Sequence, residues 1–223
     1  MRTLLLSVIV LGACAGDAPP SNPGTTDDAA PGIDAAPLPD TPVTTFSFFI
    51  TSTGGIDGGN FGGLAGADEF CRTKAVAAVP AAASRVWRAY LSTDAVDARD
   101  RIGAGPWFNV NNVMVATSVA NLHDAAANQL SEANSVDETA AIVPNNVHDI
   151  VTGTNTDGTK SVNTCANWTS NAATGTIANT GHANRMGGGI DPTSWNNAHL
   201  TEGCSAQAFI NTGGRGSIYC FAE

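Results

Sequence analysis

The cysteines constrain the fold of this 223-residue chain more than any other feature. There are five: Cys14 directly follows an apolar leader, and Cys71, Cys165, Cys204 and Cys220 come later at wide spacings. In an exported protein an even number of cysteines predicts disulfides, so these four predict two bridges. Four cysteines allow three pairings, and the spacings do not choose among them. A structural metal site and free thiols are the alternatives, but no pair has the Cys-x-x-Cys spacing typical of zinc sites.

Residues 1–13 have the layout of an export signal. Arg2 supplies a positive charge, and Leu4 to Leu11 supply a short apolar run that ends in small residues before Cys14. This run holds about eight residues, whereas a helix that spans a bilayer needs about 20. The segment resembles lipoprotein signal peptides, which implies cleavage before Cys14 and acylation of that cysteine. An ordinary secretory signal is the alternative, and both alternatives predict export.

The predicted lipid at Cys14 implies a membrane location. More than one acyl chain at Cys14 would hold the protein stably in a membrane. Ala15 in the next position is the usual pattern for transport to an outer membrane, so we expect the protein there, on the cell-surface or periplasmic face.

Residues 14–42 are rich in proline, alanine and aspartate and contain no lysine or arginine. With few large apolar groups, they predict a disordered acidic tether.

The folded domain is expected over residues 43–223. This part of the chain has 15 acidic residues against 9 lysines and arginines, a net charge of −6. A negative domain is repelled by phosphate backbones and by anionic lipid surfaces. The charge therefore argues against nucleic acid as a partner and leaves the N-terminal lipid as the expected membrane contact.

The start of the domain alternates between strand, loop and helix signals. Phe46 to Thr53 is rich in Phe, Ile and Thr and predicts a first strand, and Val86 to Ser92 predicts a second. Paired glycines between residues 54 and 66 predict a loop. A helix is expected from Asp68 to Val79, because acidic residues suit a first turn and Pro80 ends the helix.

The glycine-rich turn between the first strand and the helix invites comparison with phosphate-binding loops. Residues 62–71 read GGLAGADEFC, which contains neither Gly-x-Gly-x-x-Gly nor Gly-Lys-Ser/Thr, so no nucleotide site is predicted. Beyond Gly103 the chain is rich in Asn, Thr and Gly, with a modest helical pattern at Val119 to Leu130. This composition predicts long loops held by disulfides.

Six short motifs, taken in their order along the chain, resemble a known family. They are GGLAGADEFC at residues 62–71, WRAYLS at 87–92, RI-x-x-GPW at 101–107, TCANW at 164–168, GC at 203–204 and IYCF at 218–221. The ordered set resembles the bacterial endostatin-like lipoproteins, a domain of unknown function known from leptospiral lipoproteins, which in turn resemble animal endostatin. The resemblance covers nearly all of residues 46–223.

The resemblance implies an α+β, C-type-lectin-like fold, in which two helices pack on a twisted, mainly antiparallel sheet with long loops. It also implies nested disulfides, Cys71 with Cys220 and Cys165 with Cys204. Endostatin binds zinc through histidines near its N-terminal end, whereas the first histidine here is His123. Endostatin also binds heparin through clustered arginines, which this acidic domain does not have. Neither zinc nor heparin binding is therefore expected.

Histidines are the side chains of this chain most suited to metal binding and to acid–base catalysis. They are His123, His148, His182 and His199, and they lie in separate polar segments without a His-Glu-x-x-His motif. We expect exposed or locally hydrogen-bonded loop histidines and no metal site. No serine lies in Gly-x-Ser-x-Gly, and two disulfides leave no cysteine as a nucleophile, so no enzyme is predicted.

The segment Ser194 to Cys204 resembles the Trp-Asn-Asp segment that supplies calcium ligands in C-type lectins. Asn197 replaces the aspartate and removes a negative charge, so we predict no cofactor and keep a calcium-dependent lectin as an alternative. Exposed tryptophans and asparagines can also bind ligands by stacking and by amide hydrogen bonds. The candidates for such binding, each of them weak, are Trp107, Trp168, Trp195, Asn196 and Asn197. Each tryptophan is equally suited to the core.

Together these features predict an exported, lipid-anchored, non-enzymatic binding module. The resemblance suggests that its ligand is an extracellular matrix-type protein or a polysaccharide. The alternative function is a structural envelope lipoprotein without a dedicated ligand.

Overall fold

The structure is a computed structural model that describes residues 44–223. The predicted leader, the lipid site at Cys14 and the tether lie outside the described residues. Residues 44–223 form an α+β domain with four helices, antiparallel sheets and two disulfides. No helix within this range has the length and apolar content that a membrane crossing requires.

Short strands form three antiparallel sheets within the described residues. The strands are β1 (Phe48–Ile50), β2 (Trp87–Ala89), β3 (Trp107–Phe108), β4 (Met114–Ala116), β5 (Asp149–Val151), β6 (Asn179–His182), β7 (His199–Leu200) and β8 (Tyr219–Ala222). They pair in the orders β1-β8-β2, β3-β4 and β5-β6-β7. The helices are α1 (Gly63–Ala78), α2 (Val119–Leu122), α3 (Cys165–Trp168) and α4 (Ala206–Thr212). The middle of the chain is therefore mostly loop, as its Asn, Thr and Gly content predicts.

Strand β8 lies in the middle of the central sheet, between β1 and β2. Alternate residues of a strand point to opposite faces of the sheet. On β8, Cys220 joins the core beneath α1, and Phe221 joins a second core on the other face. Phe49 and Phe48 of β1 divide between the same two cores. Burial on both faces explains why these strands read as apolar runs without polar alternation.

A stripe of small residues lets α1 lie close to the central sheet. Its buried residues are Ala67, Cys71 and Ala75, which are four apart and so share one face of the helix. The helix comes near enough for Cys71 to form a disulfide with Cys220 of β8, with 5.6 Å between the two Cα atoms. The first helix and the last strand are thus covalently joined.

Asp68 adds a polar connection between α1 and its surroundings. The helix begins at Gly63, earlier than predicted, so Asp68 lies in its second turn and does not occupy the N-terminus. Both carboxylate oxygens of Asp68 lie 2.8 Å from Nη2 of Arg101, and Oδ1 accepts the backbone N–H of Ala89 at 2.9 Å. This ion pair is largely buried and joins α1 to β2 and to the turn that carries Arg101.

The second disulfide joins Cys165 to Cys204, whose Cα atoms are 5.7 Å apart. Both pairings are those implied by the family resemblance. Residues 165–168 all have φ between 49° and 66°, so α3 is a left-handed turn, a conformation that costs L-residues roughly 1–2 kcal/mol each. The disulfide fixes its first residue, and Nε1 of Trp168 donates to the carbonyl of Ser92 at 2.7 Å.

The predicted elements hold for the first half of the domain better than for the second. The strands at 46–53 and 86–92 are confirmed as the shorter β1 and β2, and the first helix is confirmed as α1. The helical pattern at 119–130 is wrong beyond Leu122, because Nδ1 of His123 approaches the Val119 carbonyl to 2.7 Å at the C-terminus of the helix. The resemblance implied two helices on one sheet, whereas the described residues form four helices and three small sheets.

We expect each disulfide to contribute strongly to stability. Replacing Cys71 and Cys220 together with serine should lower the free energy of unfolding by about 5 kcal/mol, and replacing Cys165 and Cys204 by about 4 kcal/mol, because the bridges close long loops of the unfolded chain. The sequence separations are 149 and 39 residues. Urea denaturation measures both losses. A loss below about 1 kcal/mol in either double variant would contradict this account.

The two tyrosines of the chain predict a loss of stability at alkaline pH. Tyr90 and Tyr219 are fully buried, and burial raises the pKa of both hydroxyls above the ordinary value. The unfolded chain therefore ionises first, so the stability that the buried neutral hydroxyls contribute is complete below about pH 10 and is lost as the pH rises further. Urea denaturation at about pH 8 and about pH 11 should show a lower midpoint at the higher pH. Tyr90→Phe with Tyr219→Phe should show a smaller drop, and an equal drop would refute this cause.

Candidate functional site

The sheet β5-β6-β7 brings three histidines and an aspartate together. Asp149 begins β5 and pairs in register with His182 at the end of β6. His199 begins β7 and pairs with Thr180, which lies on the same face of β6 as His182. His148 directly precedes β5. We call His148, Asp149, His182 and His199 the histidine–aspartate cluster.

The imidazole rings converge on the carboxylate of Asp149. Nε2 of His148 and Nε2 of His182 each lie 3.4 Å from Oδ1, and Nε2 of His199 lies 3.2 Å from Oδ2. The side chains of Asp149 and His182 are only 3% and 1% exposed, whereas those of His148 and His199 are 19% and 22% exposed. The cluster therefore has two buried members and two partly accessible members.

The other ring nitrogen of each clustered histidine faces a backbone carbonyl. The Nδ1 contacts are His148 to Asn145, His182 to Pro192 at 2.8 Å and His199 to Leu200 at 3.2 Å. A carbonyl oxygen can only accept a hydrogen bond, so these contacts place the proton of a neutral ring on Nδ1 in His148 and His182. In these neutral rings Nε2 then has no proton, and its lone pair faces the carboxylate. His199 has equal contacts of 3.2 Å from Nδ1 to the Leu200 carbonyl and from Nε2 to Asp149.

Asp149 has unusually few partners for a buried carboxylate. Its Oδ2 is buried and has no hydrogen-bond partner among residues 44–223. The contact of this oxygen with Nε2 of His199 lacks the alignment of a hydrogen bond, and it is an ion pair only when that ring is protonated. The interaction with Asp149 raises the pKa of His199 against the opposing effect of burial, whereas burial lowers the pKa of His182.

Glycines line the walls of the cluster. Gly187 has a φ of 135°, and a Cβ there would lie 2.9 Å from Cε1 of His182 and 3.2 Å from Nε2 of His148. On another side, a Cβ on Gly213 would lie 3.1 Å from Oδ2 of Asp149. The loop around Gly187 therefore packs over the rings as closely as a backbone without side chains allows.

His123 lies apart from the cluster. Its Nε2 is 2.7 Å from the hydroxyl of Tyr90, and its Nδ1 faces the carbonyl of Val119. Burial lowers its pKa.

The expectation of a locally bonded histidine fits His123. It also fits the local Nδ1 contacts of His148 and His199, but it is wrong for His182, which is buried and contacts Pro192. The convergence of these three histidines depends on a strand register that the sequence does not reveal.

A cleft of about 390 Å³ lies beside the cluster. Its lining combines amide, hydroxyl, carboxylate, imidazole and apolar groups, from Thr156, Asn179, Ile190, Asp191, Asn197, Ala198, His199 and Leu200. Ile190 and Leu200 are 93% and 42% exposed. Because His199 belongs to both, the cleft and the cluster are contiguous.

Most of the side chains proposed from sequence as a binding surface are in the core. Trp107, Trp168, Trp195 and Asn196 are each at most 3% exposed, so the expectation that they stack on or hydrogen-bond to a ligand is corrected. Asn196 instead donates to the hydroxyl of Tyr90 at 3.0 Å. Asn197 is the exception: it lines the cleft, where its Oδ1 accepts a hydrogen bond from Asn179 at 2.6 Å.

These features define a disulfide-linked α+β domain with a histidine–aspartate cluster at the edge of a cleft. A family model described as "Protein of unknown function (DUF1554)" matches residues 55–186, more than half of the chain, and the chain belongs to this family. The matched range includes His148, Asp149 and His182 and ends before His199. No curated protein matches the chain.

Gly187→Ala tests how closely the loop covers the cluster. We expect a loss of roughly 1–3 kcal/mol in the free energy of unfolding, because the new Cβ would meet His182 and would have to adopt a positive φ. Gly188→Ala is the matched control, since nothing lies within 4 Å of a Cβ there. Urea denaturation compares the two variants. Equal losses would contradict the close packing of the loop on the rings.

Proposed function

We propose that this domain is the non-enzymatic binding module of an exported, lipid-anchored protein, and that its cleft binds an extracellular matrix-type protein or polysaccharide. The observation that carries this proposal is the accessible cleft beside β7. It combines polar groups with two exposed apolar side chains, Ile190 and Leu200. Isolated apolar side chains are common on surfaces, but here they flank a concavity that also holds amides.

The chemistry of the cleft suits a polymer with alternating polar and apolar groups. Asn179 and Asn197 supply amides, Thr156 supplies a hydroxyl and Asp191 supplies a carboxylate. Such groups bind sugar hydroxyls or peptide groups through donors and acceptors in fixed positions. The apolar side chains can pack against the C–H face of a sugar ring or against an aliphatic side chain.

The negative net charge of the domain restricts the class of ligand that the cleft can bind. The domain has a net charge of −6 over residues 43–223, and Asp191 lies in the cleft itself. A polyanion such as a sulfated glycan would be repelled. A neutral polysaccharide or a neutral to basic protein segment fits better.

The family resemblance supports the same proposal at a finer level. We infer that the domain is an endostatin-like member of its family with a C-type-lectin-like fold. The Trp195-Asn196-Asn197 segment, which resembles the ligand-bearing segment of C-type lectins, leads into the wall of the cleft through Asn197. The outer-membrane location and the lipid anchor at Cys14 remain part of the proposal.

An array of neutral glycans and matrix proteins tests this function on the full chain. We expect Ile190→Asp and Leu200→Asp each to weaken binding by about tenfold or more, because a charge replaces an apolar contact worth about 1.5–3 kcal/mol. Ile56→Asp is the matched control, since Ile56 is exposed and lies outside the lining of the cleft. Binding should be measured by surface plasmon resonance.

The array also separates the alternatives. Absence of binding to every glycan and protein would overturn the proposal and favour a structural envelope lipoprotein. Binding that Ile56→Asp weakens as much as Leu200→Asp would place the ligand elsewhere on the domain. Binding that requires added calcium would favour the calcium-dependent lectin.

A further inference from the structure

We propose that His148, Asp149 and His182 form a binding site for one divalent transition-metal ion, of the class represented by Zn²⁺, with His199 beside them on the other oxygen of the same carboxylate. This inference goes beyond the proposed polymer ligand and does not depend on it, because metal binding is measured on the protein alone. Three independent observations carry it: the electrostatics of Asp149, the orientation of the rings and the spacing of the ligand atoms.

The electrostatic observation is that the buried carboxylate of Asp149 lacks a lysine or arginine partner. Removing a carboxylate from water is costly unless a positive charge or hydrogen-bond donors replace the water. Elsewhere in the described residues, Asp68 has Arg101 at 2.8 Å and Glu138 has Lys74 at 3.4 Å. Asp149 has only imidazole rings, and its Oδ2 has no hydrogen-bond partner.

The second observation is the orientation of the three rings. Each Nδ1 faces a backbone carbonyl, and in the neutral rings of His148 and His182 this directs two unprotonated Nε2 atoms at one carboxylate. Lone pairs facing a carboxylate repel it unless a cation lies between them. A hydrogen bond from the remote ring nitrogen to a carbonyl is also how metal-binding histidines are usually held, since it fixes the tautomer and the direction of the ring.

The third observation is the spacing of the ligand atoms. Two ligand atoms that each lie about 2.1 Å from a tetrahedral zinc ion are about 3.4 Å apart. The three contacts between Nε2 and carboxylate oxygens measure 3.4, 3.4 and 3.2 Å. Ligand atoms of His148, Asp149 and His182 all lie within 4.8 Å of one another. His199 is not one of these three residues; its Nε2 contacts the other carboxylate oxygen, Oδ2, at 3.2 Å.

The ligand set also indicates the class of metal. Imidazole nitrogen suits Zn²⁺, Cu²⁺, Ni²⁺ and Fe²⁺, whereas Ca²⁺ and Mg²⁺ prefer oxygen ligands throughout. A set of two imidazole nitrogens and one carboxylate therefore favours a transition metal. We choose Zn²⁺ as the probe because it binds tetrahedrally without redox chemistry.

The alternative is that a protonated histidine, rather than a metal, neutralises Asp149. The two arrangements predict opposite behaviour for Asp149→Asn in metal-free protein. If Asp149 is held by an imidazolium partner, the amide breaks a buried ion pair and should lower the melting temperature. If the carboxylate is there for a metal, removing its uncompensated charge should leave the melting temperature unchanged or raise it.

The principal test is Zn²⁺ titration of the full chain, made in an oxidising compartment and stripped of metal with a chelator. Isothermal titration calorimetry should show one Zn²⁺ per chain, with a Kd of about 10 µM or tighter. Saturation should raise the melting temperature, because the ion binds the folded chain. X-ray absorption should show nitrogen and oxygen ligands at about 2.0–2.2 Å and no sulfur. Calcium should produce neither heat nor a melting shift.

Variants then locate the site. His148→Gln changes a partly exposed side chain and should leave the fold intact, yet it should weaken Zn²⁺ binding about tenfold or more. His123→Gln is the matched control, because the fourth histidine lies outside the cluster, and it should bind Zn²⁺ as the unchanged chain does. The proposal is overturned if Zn²⁺ does not bind. It is equally overturned if His148→Gln binds as tightly as the His123→Gln control, or if Asp149→Asn lowers the melting temperature of the metal-free protein.

Discussion

The disulfide between Cys71 and Cys220 is the constraint on which the rest of the domain depends. It joins the first helix to the last strand, and that strand pairs with both of its neighbours in the central sheet. Small residues on α1 make the contact close, and β8 then separates two cores, one on each face. With the ends of the domain fixed in this way, the long middle of the chain can consist mainly of loops. The second disulfide and the left-handed turn at Cys165 order part of that middle.

The histidine–aspartate cluster differs from the rest of the described domain in how its buried charge is compensated. Other carboxylates in the described residues are compensated: Asp68 by Arg101, Glu138 by Lys74, and Asp137 by hydrogen bonds from Thr139 and Ala141. Asp149, by contrast, is a poorly compensated buried carboxylate among imidazole rings. An apolar residue at this position would make the domain more stable. Natural sequences keep such local conflicts mainly at functional sites. The neighbouring cleft shares His199 with the cluster, so an ion held there would lie at the edge of the proposed recognition surface.

The parts of the structure that the sequence predicted are those that depend on local chemistry. Paired glycines marked a loop as far as Gly62, although Gly63 and Gly66 lie in α1. Pro80 marked the end of a helix, and apolar runs marked β1 and β2. The family resemblance added the pairing of the cysteines, which spacing alone left open. The cluster could not be predicted in the same way, because it exists only when Asp149 pairs with His182 and Thr180 pairs with His199. The sequence also did not show which tryptophans are buried, because a tryptophan such as Trp168 suits both a core and a binding surface.

The central position of β8 has a consequence for the order in which the domain can form. Strands β1 and β2 do not pair with each other; each pairs only with residues 219–222 in this sheet. A ribosome makes those residues after the rest of the described domain. Until they arrive, the two earlier strands have no partner in the central sheet and α1 has no disulfide partner. Completion of this sheet therefore has to wait until residues 219–222 have been made, however early the segments that carry β1, α1 and β2 leave the ribosome.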